Sequence, residues 1–297
     1  MVAPRAVRSS ASIARVLLIF AAYFALASCA ISLWPNIFAF VPILCCSFIL
    51  SGFLNAAHDC VHSTHIRPKW LNRVLGATWC TIILVNFTIY RQQHLVHHRF
   101  SGEEGDTEGH SKFETVGDYF RAQSGFTFWY AIFRRMVLTW RGVFPQSVIT
   151  SKRVLAAIVD NVVLAAWVIA TVSLTWFWPD TLLVCYWLPL LFYPAFALFF
   201  SLPEHLELTR PDVDWPRARD VRSNAIVRFF QWNANYHALH HREPSIPAYF
   251  LHRAYARSGS FEDPADNSYL YFHAALLTRL WRGQKSILRE HHEGQQQ

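Results

Sequence analysis

A long stretch without charge constrains the fold more than any other feature of the chain. From Val16 to His58 there is no Asp, Glu, Lys or Arg. A helix needs about 20 apolar residues to cross about 30 Å of hydrocarbon, so this stretch is too long for one span. The sequence Trp34-Pro35-Asn36 interrupts it and is typical of a turn with an interfacial aromatic residue. The stretch therefore predicts two membrane-spanning helices, over residues 16–33 and 37–57.

The second half of the chain repeats this pattern. Residues 154–177 and 181–203 are again long and apolar, and Trp178-Pro179-Asp180 separates them. Charged residues make up 16% of the chain, against about 25% in a typical soluble domain. The sequence therefore predicts an all-α integral membrane protein with four transmembrane helices in two hairpins.

Basic residues flank these spans on one side only. They precede the first span, follow the second and precede the third, whereas neither corner carries one. They are Arg5, Arg8, Arg15, Arg67, Lys69, Arg73, Arg134, Arg135, Arg141, Lys152 and Arg153. Because basic loops stay in the cytoplasm, both termini and the central loop are predicted to be cytoplasmic. The same rule accounts for the net charge of +7, and the chain shows no basic stripe that would favour nucleic-acid binding.

The domain organisation follows from these spans. Residues 1–15 are predicted to be a cytoplasmic segment, residues 16–285 one membrane domain, and residues 286–297 a polar tail. The N-terminus also resembles a bacterial lipoprotein signal, with arginines, an apolar run and Leu26-Ala27-Ser28-Cys29. Four residues are a weak pattern and another apolar span follows almost at once, so we favour a retained span.

Residues 74–90 also lack charge and raise the question of a fifth span. The stretch contains four polar residues, and Arg73 and Arg91 flank both of its ends, whereas a true span would have asymmetric flanks. We therefore interpret it as a re-entrant or interfacial helix. The aromatic segment 126–140, with its arginines, predicts a further interfacial helix.

Eight of the 15 histidines fall in three tight boxes, one His-x-x-x-His and two His-x-x-His-His. Residues three and four apart share one face of a helix, so each box can direct its imidazoles at one point. Eight ring nitrogens exceed what one tetrahedral zinc can use, and imidazole also suits iron and copper. The boxes predict two metals with four or five nitrogen ligands each, on the cytoplasmic side. Their members are His58, His62, His94, His97, His98, His237, His240 and His241.

These boxes, in this order around two membrane hairpins, resemble the membrane-bound fatty acid desaturase superfamily. That superfamily includes acyl desaturases, sphingolipid desaturases and hydroxylases, and carotenoid ketolases. The resemblance covers about residues 16–250 and implies a non-haem di-iron centre, O2 as co-substrate and electrons from a separate reductase chain. It also implies a ninth ligand just after the last span, where His205 follows Glu204. The first box has three intervening residues where acyl-CoA desaturases have four. This difference favours desaturases of acyl lipids or acyl carrier substrates, and also ketolase-like members.

Polar residues near the boxes are candidates for supporting roles. Asp59 stands beside His58 and is a candidate to orient an imidazole, as are Glu204 and Glu207. Asn233 and Asn235 are candidates to hold a metal-bound water, with turn or capping roles as the alternative. Asp160 and Asn161 lie in the third span, where polar groups are candidates for a substrate pocket.

The expected chemistry is removal of hydrogen from an unactivated methylene, which reduced iron with O2 achieves and zinc does not. We expect desaturation of a fatty acyl chain, with a hydroxylase or carotenoid ketolase of the same superfamily as the alternative. The chain has no His-Pro-Gly-Gly haem motif, so a ferredoxin or b-type cytochrome is the expected electron donor. A metal transporter is less favoured, because transporters place ligands within their spans whereas these histidines cluster at span ends.

Overall fold

The computed structural model describes residues 9–108, 112–144, 148–206, 208, 217–258 and 268–286. Within these ranges the chain is mostly helical and has no β-strand. Residues 1–8, Glu207 and the tail from residue 287 onward lie outside them. The helices are α1 (Ser9–Leu33), α2 (Phe40–Val61), α3 (Trp70–Ile82), α4 (Phe87–Phe100), α5 (Val116–Gln123), α6 (Phe126–Trp140), α7 (Ser151–Phe177), α8 (Pro179–Leu182), α9 (Leu188–His205), α10 (Ala225–Phe230), α11 (His237–Arg242), α12 (Leu251–Ser258) and α13 (Tyr269–Trp281), with short 3-10 turns at Ile37–Ala39 and Ala248–Phe250 and a π-helical turn at Leu183–Trp187.

Four helical segments in the described part of the chain are long and apolar enough to cross a membrane. They are Ser9–Leu33, Ile37–Val61, Ser151–Phe177 and Pro179–His205, the last of which joins α8 to α9 through the π-helical turn. This confirms the predicted all-α fold with four candidate spans. Each helix extends past the predicted apolar segment at one or both ends, because helical hydrogen bonding continues beyond the hydrocarbon-length core.

The second span lies at the centre of the bundle. In its most apolar window 56% of the residues are buried, against 17% to 33% in the other three spans. It packs on α1, α3 and α9 through a core that includes Leu50, Phe53, Trp79 and Tyr193. Because α2 ends at the first histidine box, this packing fixes the position of that box.

Residues 74–90 are not one continuous helix but belong to two helices that meet at a bend, a geometry that fits the re-entrant interpretation or a broken span. Helices α3 and α4 meet there at 107°, with a break at residues 83–86 where Leu84 has a φ of 59°. The carbonyls that end α3 receive hydrogen bonds from tyrosines of the fourth span, Tyr186 to Ile82 and Tyr193 to Ile83, both at 2.9 Å. A break of this kind needs outside donors for its free carbonyls, and hydropathy alone does not reveal them.

The third span fixes the start of α4. Asp160 accepts a hydrogen bond from the Thr88 amide at 2.7 Å and pairs with Arg73, while Asn161 accepts one from the Asn86 side chain at 2.8 Å. Asn161 also donates to a backbone carbonyl of α6. The structure therefore engages both predicted substrate-pocket residues in holding α4 and α6 against α7. Helix α6 has the bounds predicted from sequence, 126–140.

Candidate metal centre

The three boxes and His205 come from four separate stretches of the chain and meet at one end of the bundle. His58 lies in the last turn of α2, and His62 is the residue after that helix. Helix α4 carries the second box, α11 carries the third, and His205 is the last residue of α9. Every box therefore stands on or directly beside a helix, as its three- and four-residue spacing predicts.

The nine imidazoles sort into two groups. In each group one nitrogen of every ring lies within 4.8 Å of the corresponding nitrogens of the others. The second and third boxes each contribute to both groups, so the groups are neighbours rather than separate sites. Group A contains His58, His62, His94, His98 and His240, and group B contains His97, His205, His237 and His241.

The spacing of the ring nitrogens fits metal ions. In group B the Nε2 atoms of His205 and His237 are 2.8 Å apart, and those of His97 and His205 are 3.2 Å apart. In group A those of His98 and His240 are 3.1 Å apart. Two nitrogens at about 2.1 Å from one metal ion lie about 3.0 to 3.4 Å apart at octahedral to tetrahedral angles. The rings are therefore close to the separation that a shared cation requires.

Several nitrogens of group A also lack any partner within the protein. The Nε2 atoms of His58, His62 and His94 are buried and, within the described residues, accept or donate no hydrogen bond. Buried polar atoms are almost always satisfied, so three unpartnered nitrogens in one group call for a ligand. Imidazole nitrogen suits iron as well as zinc and copper, so each group has the donors to hold one such ion.

The second ring nitrogen, Nδ1, of three of these histidines lies within hydrogen-bond distance of an acceptor oxygen. His97 Nδ1 lies 2.7 Å from Asp106, His94 Nδ1 lies 2.9 Å from Glu108, and His205 Nδ1 lies 2.9 Å from the Arg217 carbonyl. An acceptor on Nδ1 keeps the proton there and leaves the Nε2 lone pair free. These contacts therefore set the tautomer that a metal ligand needs.

The electrostatics keep most rings neutral. Burial lowers the pKa of His62 to about 4 and that of His98 to about 3, so both offer a lone pair at neutral pH. His97 differs: burial lowers its pKa, but the hydrogen bond to Asp106 together with the negative charges of Glu108 and Asp106 outweighs burial and raises the pKa of His97. Burial opposes the charge of Asp106, but hydrogen bonds from His97 and two backbone amides lower the pKa of that carboxyl to about 2.

Sequence reasoning missed Asp106 and Glu108. Both lie in the turn that follows α4, where the Asp106 carboxylate also accepts the Gly102 amide at 2.8 Å. The signal was the acidic run between Glu103 and Glu108 directly after the second box. A turn has no fixed periodicity, so the sequence did not show which of these carboxylates would face the histidines.

Asp59 takes a role other than the predicted one. Its carboxylate lies 3.1 Å from Nδ1 of His65, a buried histidine outside the boxes, and accepts the Ala248 amide at 3.2 Å. Adjacent residues on a helix point in different directions, so Asp59 does not face the same way as His58. Glu204 does approach a box imidazole, with its carboxylate 3.5 Å from Nδ1 of His237.

Backbone contacts position the third box. Asn233 donates to the Ala248 carbonyl at 2.7 Å and Asn235 to the Val221 carbonyl at 3.0 Å, so both amides fix the turn before α11. The Asn235 side-chain oxygen is buried without a partner in the described residues, and its proposed role toward a bound water stays a prediction. Asp220 accepts the Ala238 amide at the start of α11, and burial raises the pKa of this carboxyl to about 6.

Four apolar helices long enough to span a membrane, with nine imidazoles that converge at one end of the bundle, define a membrane protein with a candidate dinuclear metal centre. The family model described as "Fatty acid desaturase" matches residues 32–274, and the chain belongs to that family. Membership supports a lipid desaturase or oxidase type of function and a membrane-bound oxidoreductase. A separate search of curated proteins found no match to the chain.

Proposed function

We propose that this protein is a di-iron desaturase that introduces a double bond into a fatty acyl chain, with His58, His62, His94, His97, His98, His205, His237, His240 and His241 as the metal ligands. The division of the imidazoles into five and four is the observation that carries this proposal. Family membership supports the lipid substrate. Hydroxylation by the same ligand set is the alternative outcome.

The reaction must balance in electrons and atoms. Two hydrogens leave neighbouring carbons of the chain, an external donor supplies two further electrons and two protons enter from water, so that O2 leaves as two molecules of water. Bound iron supplies the O2 activation. The protein's own part is to hold nine neutral or hydrogen-bonded imidazoles in place and to position the acyl carbon beside them.

We place the reacting methylene at a small cavity beside the centre, whose volume of about 10 Å³ admits one such group. Its lining includes His58, His237, His240, Trp232 and Leu251. Trp232 and Leu251 are buried, so this wall excludes water from the reacting carbon.

We also propose that the centre lies on the cytoplasmic side, together with both termini. The basic residues of the loops support this orientation. A ferredoxin or a b-type cytochrome would then reach the centre from the cytoplasm and deliver the electrons one at a time.

Expression in a host that supplies such electrons, followed by mass spectrometry of the lipids, tests the proposal. Desaturation yields acyl chains lighter by two hydrogens, and hydroxylation yields chains heavier by one oxygen. We expect His94→Ala or His240→Ala to abolish the product while the protein stays in the membrane. Thr278→Ala, an exposed change on α13, is the matched control and should leave the product yield unchanged. Full product yield in both histidine variants would refute the assignment.

A further inference from the structure

Arg15 is a buried cation near the start of the first span. It is only 8% exposed, and burial of a charge costs free energy unless the group is hydrogen-bonded. Its guanidinium donates to the Phe229 carbonyl at 2.9 Å and to the Arg228 carbonyl at 2.6 Å. Both carbonyls lie in the last turn of α10, at the negative end of the helix dipole. Arg15 therefore joins the first span to the segment that leads into the third histidine box.

The backbone directly after α10 adopts an uncommon conformation. Trp232 has a φ of 55° and Asn233 a φ of 57°, in the left-handed region that residues other than glycine seldom occupy. Such a conformation persists only where the surroundings enforce it. The Arg228 carbonyl that binds Arg15 also accepts the Asn233 amide at 2.9 Å. Arg15 therefore stabilises the same turn that carries the Trp232 side chain.

The Trp232 indole is held by residues from two other elements. The guanidinium carbon of Arg15 lies 4.6 Å from the ring centroid, within the range of a cation–π interaction. The His65 ring lies 4.7 Å from the indole between centroids, and Asp59 contacts His65 in turn at 3.1 Å. Trp232 is 2% exposed and lines the cavity beside the box histidines. A residue of the first span thus fixes a side chain of the cavity lining.

We propose that Arg15 is a positioning residue for the oxidation and acts through Trp232. The cavity admits about one methylene group, so the position of the indole determines which carbon of the acyl chain lies beside the histidines. Loss of Arg15 frees the indole and the left-handed turn that carries it. A displacement of about 1 Å in the reacting geometry can lower a rate by about 100-fold. This inference rests on the proposed function, because that function places the reacting carbon against this lining.

Arg15→Met tests the inference, because methionine is also long and unbranched but carries no charge and donates no hydrogen bond. The measurement is made in the electron-supplying host, by mass spectrometry of the yield and double-bond position of the host acyl lipids. We expect the wild-type protein to introduce the double bond at one position. Arg15→Met should give about 10- to 100-fold less product per bound iron and distribute it over more than one position.

Tyr23→Phe is the matched control on the same span. It removes the hydrogen bond from Tyr23 to the Cys185 carbonyl, which is 2.8 Å long and joins α1 to the fourth span. The contacts between Arg15 and Trp232 remain, so yield and double-bond position should not change. Circular dichroism and iron content verify that each variant is folded.

A second readout does not depend on turnover. The protein has 12 tryptophans, and fluorine NMR of fluorotryptophan-labelled protein in detergent detects each of them. The signal that disappears in Trp232→Phe belongs to Trp232. Arg15→Met should shift this signal because it removes the cation beside the ring, whereas Tyr23→Phe should leave it in place.

Trp232→Phe separates a role through the indole from a general structural role. This variant should by itself spread the double-bond position, and it keeps the inference testable if Arg15→Met does not fold. When Arg15→Met is added to it, the yield should fall by less than about twofold further, because residues that act through one contact are not additive.

The outcomes separate the two levels of the proposal. Wild-type yield and double-bond position in Arg15→Met, an unchanged position in Trp232→Phe, or losses that multiply in the double variant would overturn the role of Arg15 and leave the proposed function standing. A wild-type protein that oxidises no lipid would refute the proposed function, and the positioning role with it.

Discussion

Carboxylates that contact the Nδ1 atoms of the box histidines restrict the orientation of the imidazole rings. Asp106 is the most directly placed of them, because it binds His97 Nδ1 and two amides of its own turn. The imidazole of His97 therefore cannot rotate without breaking this turn. Such outer partners usually change metal affinity by about 10- to 100-fold when they are lost.

Asp106→Asn should weaken metal retention without unfolding the protein. The amide keeps part of the hydrogen bonding but no longer supplies the negative charge beside His97. We expect the variant to lose iron to a chelator at concentrations about 10- to 100-fold lower than the wild-type protein. The measurement is iron content after dialysis against graded chelator. Asp118→Asn, which removes an exposed capping carboxylate of α5, is the control, and equal retention in the Asp106 and Asp118 variants would contradict the role given to Asp106.

The boxes were predictable from sequence, while their partners were not. The second box is recognisable from sequence because a spacing of three and four residues brings side chains together on one face of any helix. Its members are His94, His97 and His98. The contact between His94 and Glu108 depends instead on the path of a turn, and no local pattern encodes that path. The same holds for Asp59, whose partner His65 lies beyond the end of α2.

At the scale of elements, close packing of α2 against α10 positions the third box. A Cβ added to Gly52 would lie 2.1 Å from the Phe230 carbonyl oxygen, so α10 approaches α2 at a distance that only glycine allows. Gln231, the next residue, donates to the Phe48 carbonyl and to Ser51 on the same face of α2. The turn before α11 is thus anchored to the central span.

Gly52→Ala should displace α10 and loosen the third box. Alanine in a helix normally favours folding by about 0.5 to 1 kcal/mol over glycine, but the backbone clash outweighs this gain. We expect destabilisation of about 1 to 3 kcal/mol, as is typical of overpacking, together with reduced iron content. Thermal unfolding in detergent and iron analysis measure the two effects.

Gly117→Ala is the matched control on α5. Its added Cβ would meet only the Thr115 side-chain oxygen, at 3.5 Å, which is an ordinary contact. This variant should keep its iron and be as stable as the wild-type protein or slightly more stable. If Gly52→Ala behaves in the same way, the packing argument for α10 is wrong.

The spans were predicted from sequence, whereas the position of the bend between α3 and α4 was not. Hydropathy locates apolar segments such as 181–203 because crossing the bilayer demands length and apolar composition together. The bend between α3 and α4 depends on Tyr186 and Tyr193, which lie about 100 residues away in sequence. Long-range donors of this kind leave no trace in the local pattern of the bent segment.

At the scale of the whole molecule, the protein has a histidine-bearing end and an end formed by the two Trp-Pro corners. We expect the corners to face away from the cytoplasm, because neither carries Lys or Arg. A cysteine placed at Asp180 in a cysteine-free background should react with an impermeant maleimide on intact cells. A cysteine at Gly142, an exposed turn after α6, should react only after lysis. The reverse labelling pattern would place the histidines outside the cytoplasm.

The stoichiometry and ligation of iron test the central claim most directly. X-ray absorption and metal analysis of the purified protein should show two irons per chain with mostly nitrogen ligands. His62→Ala in group A and His241→Ala in group B should each lower the iron content below that of the wild-type protein. A single iron per chain, zinc in place of iron after expression in iron-replete cells, or full iron content in both variants would contradict the dinuclear centre.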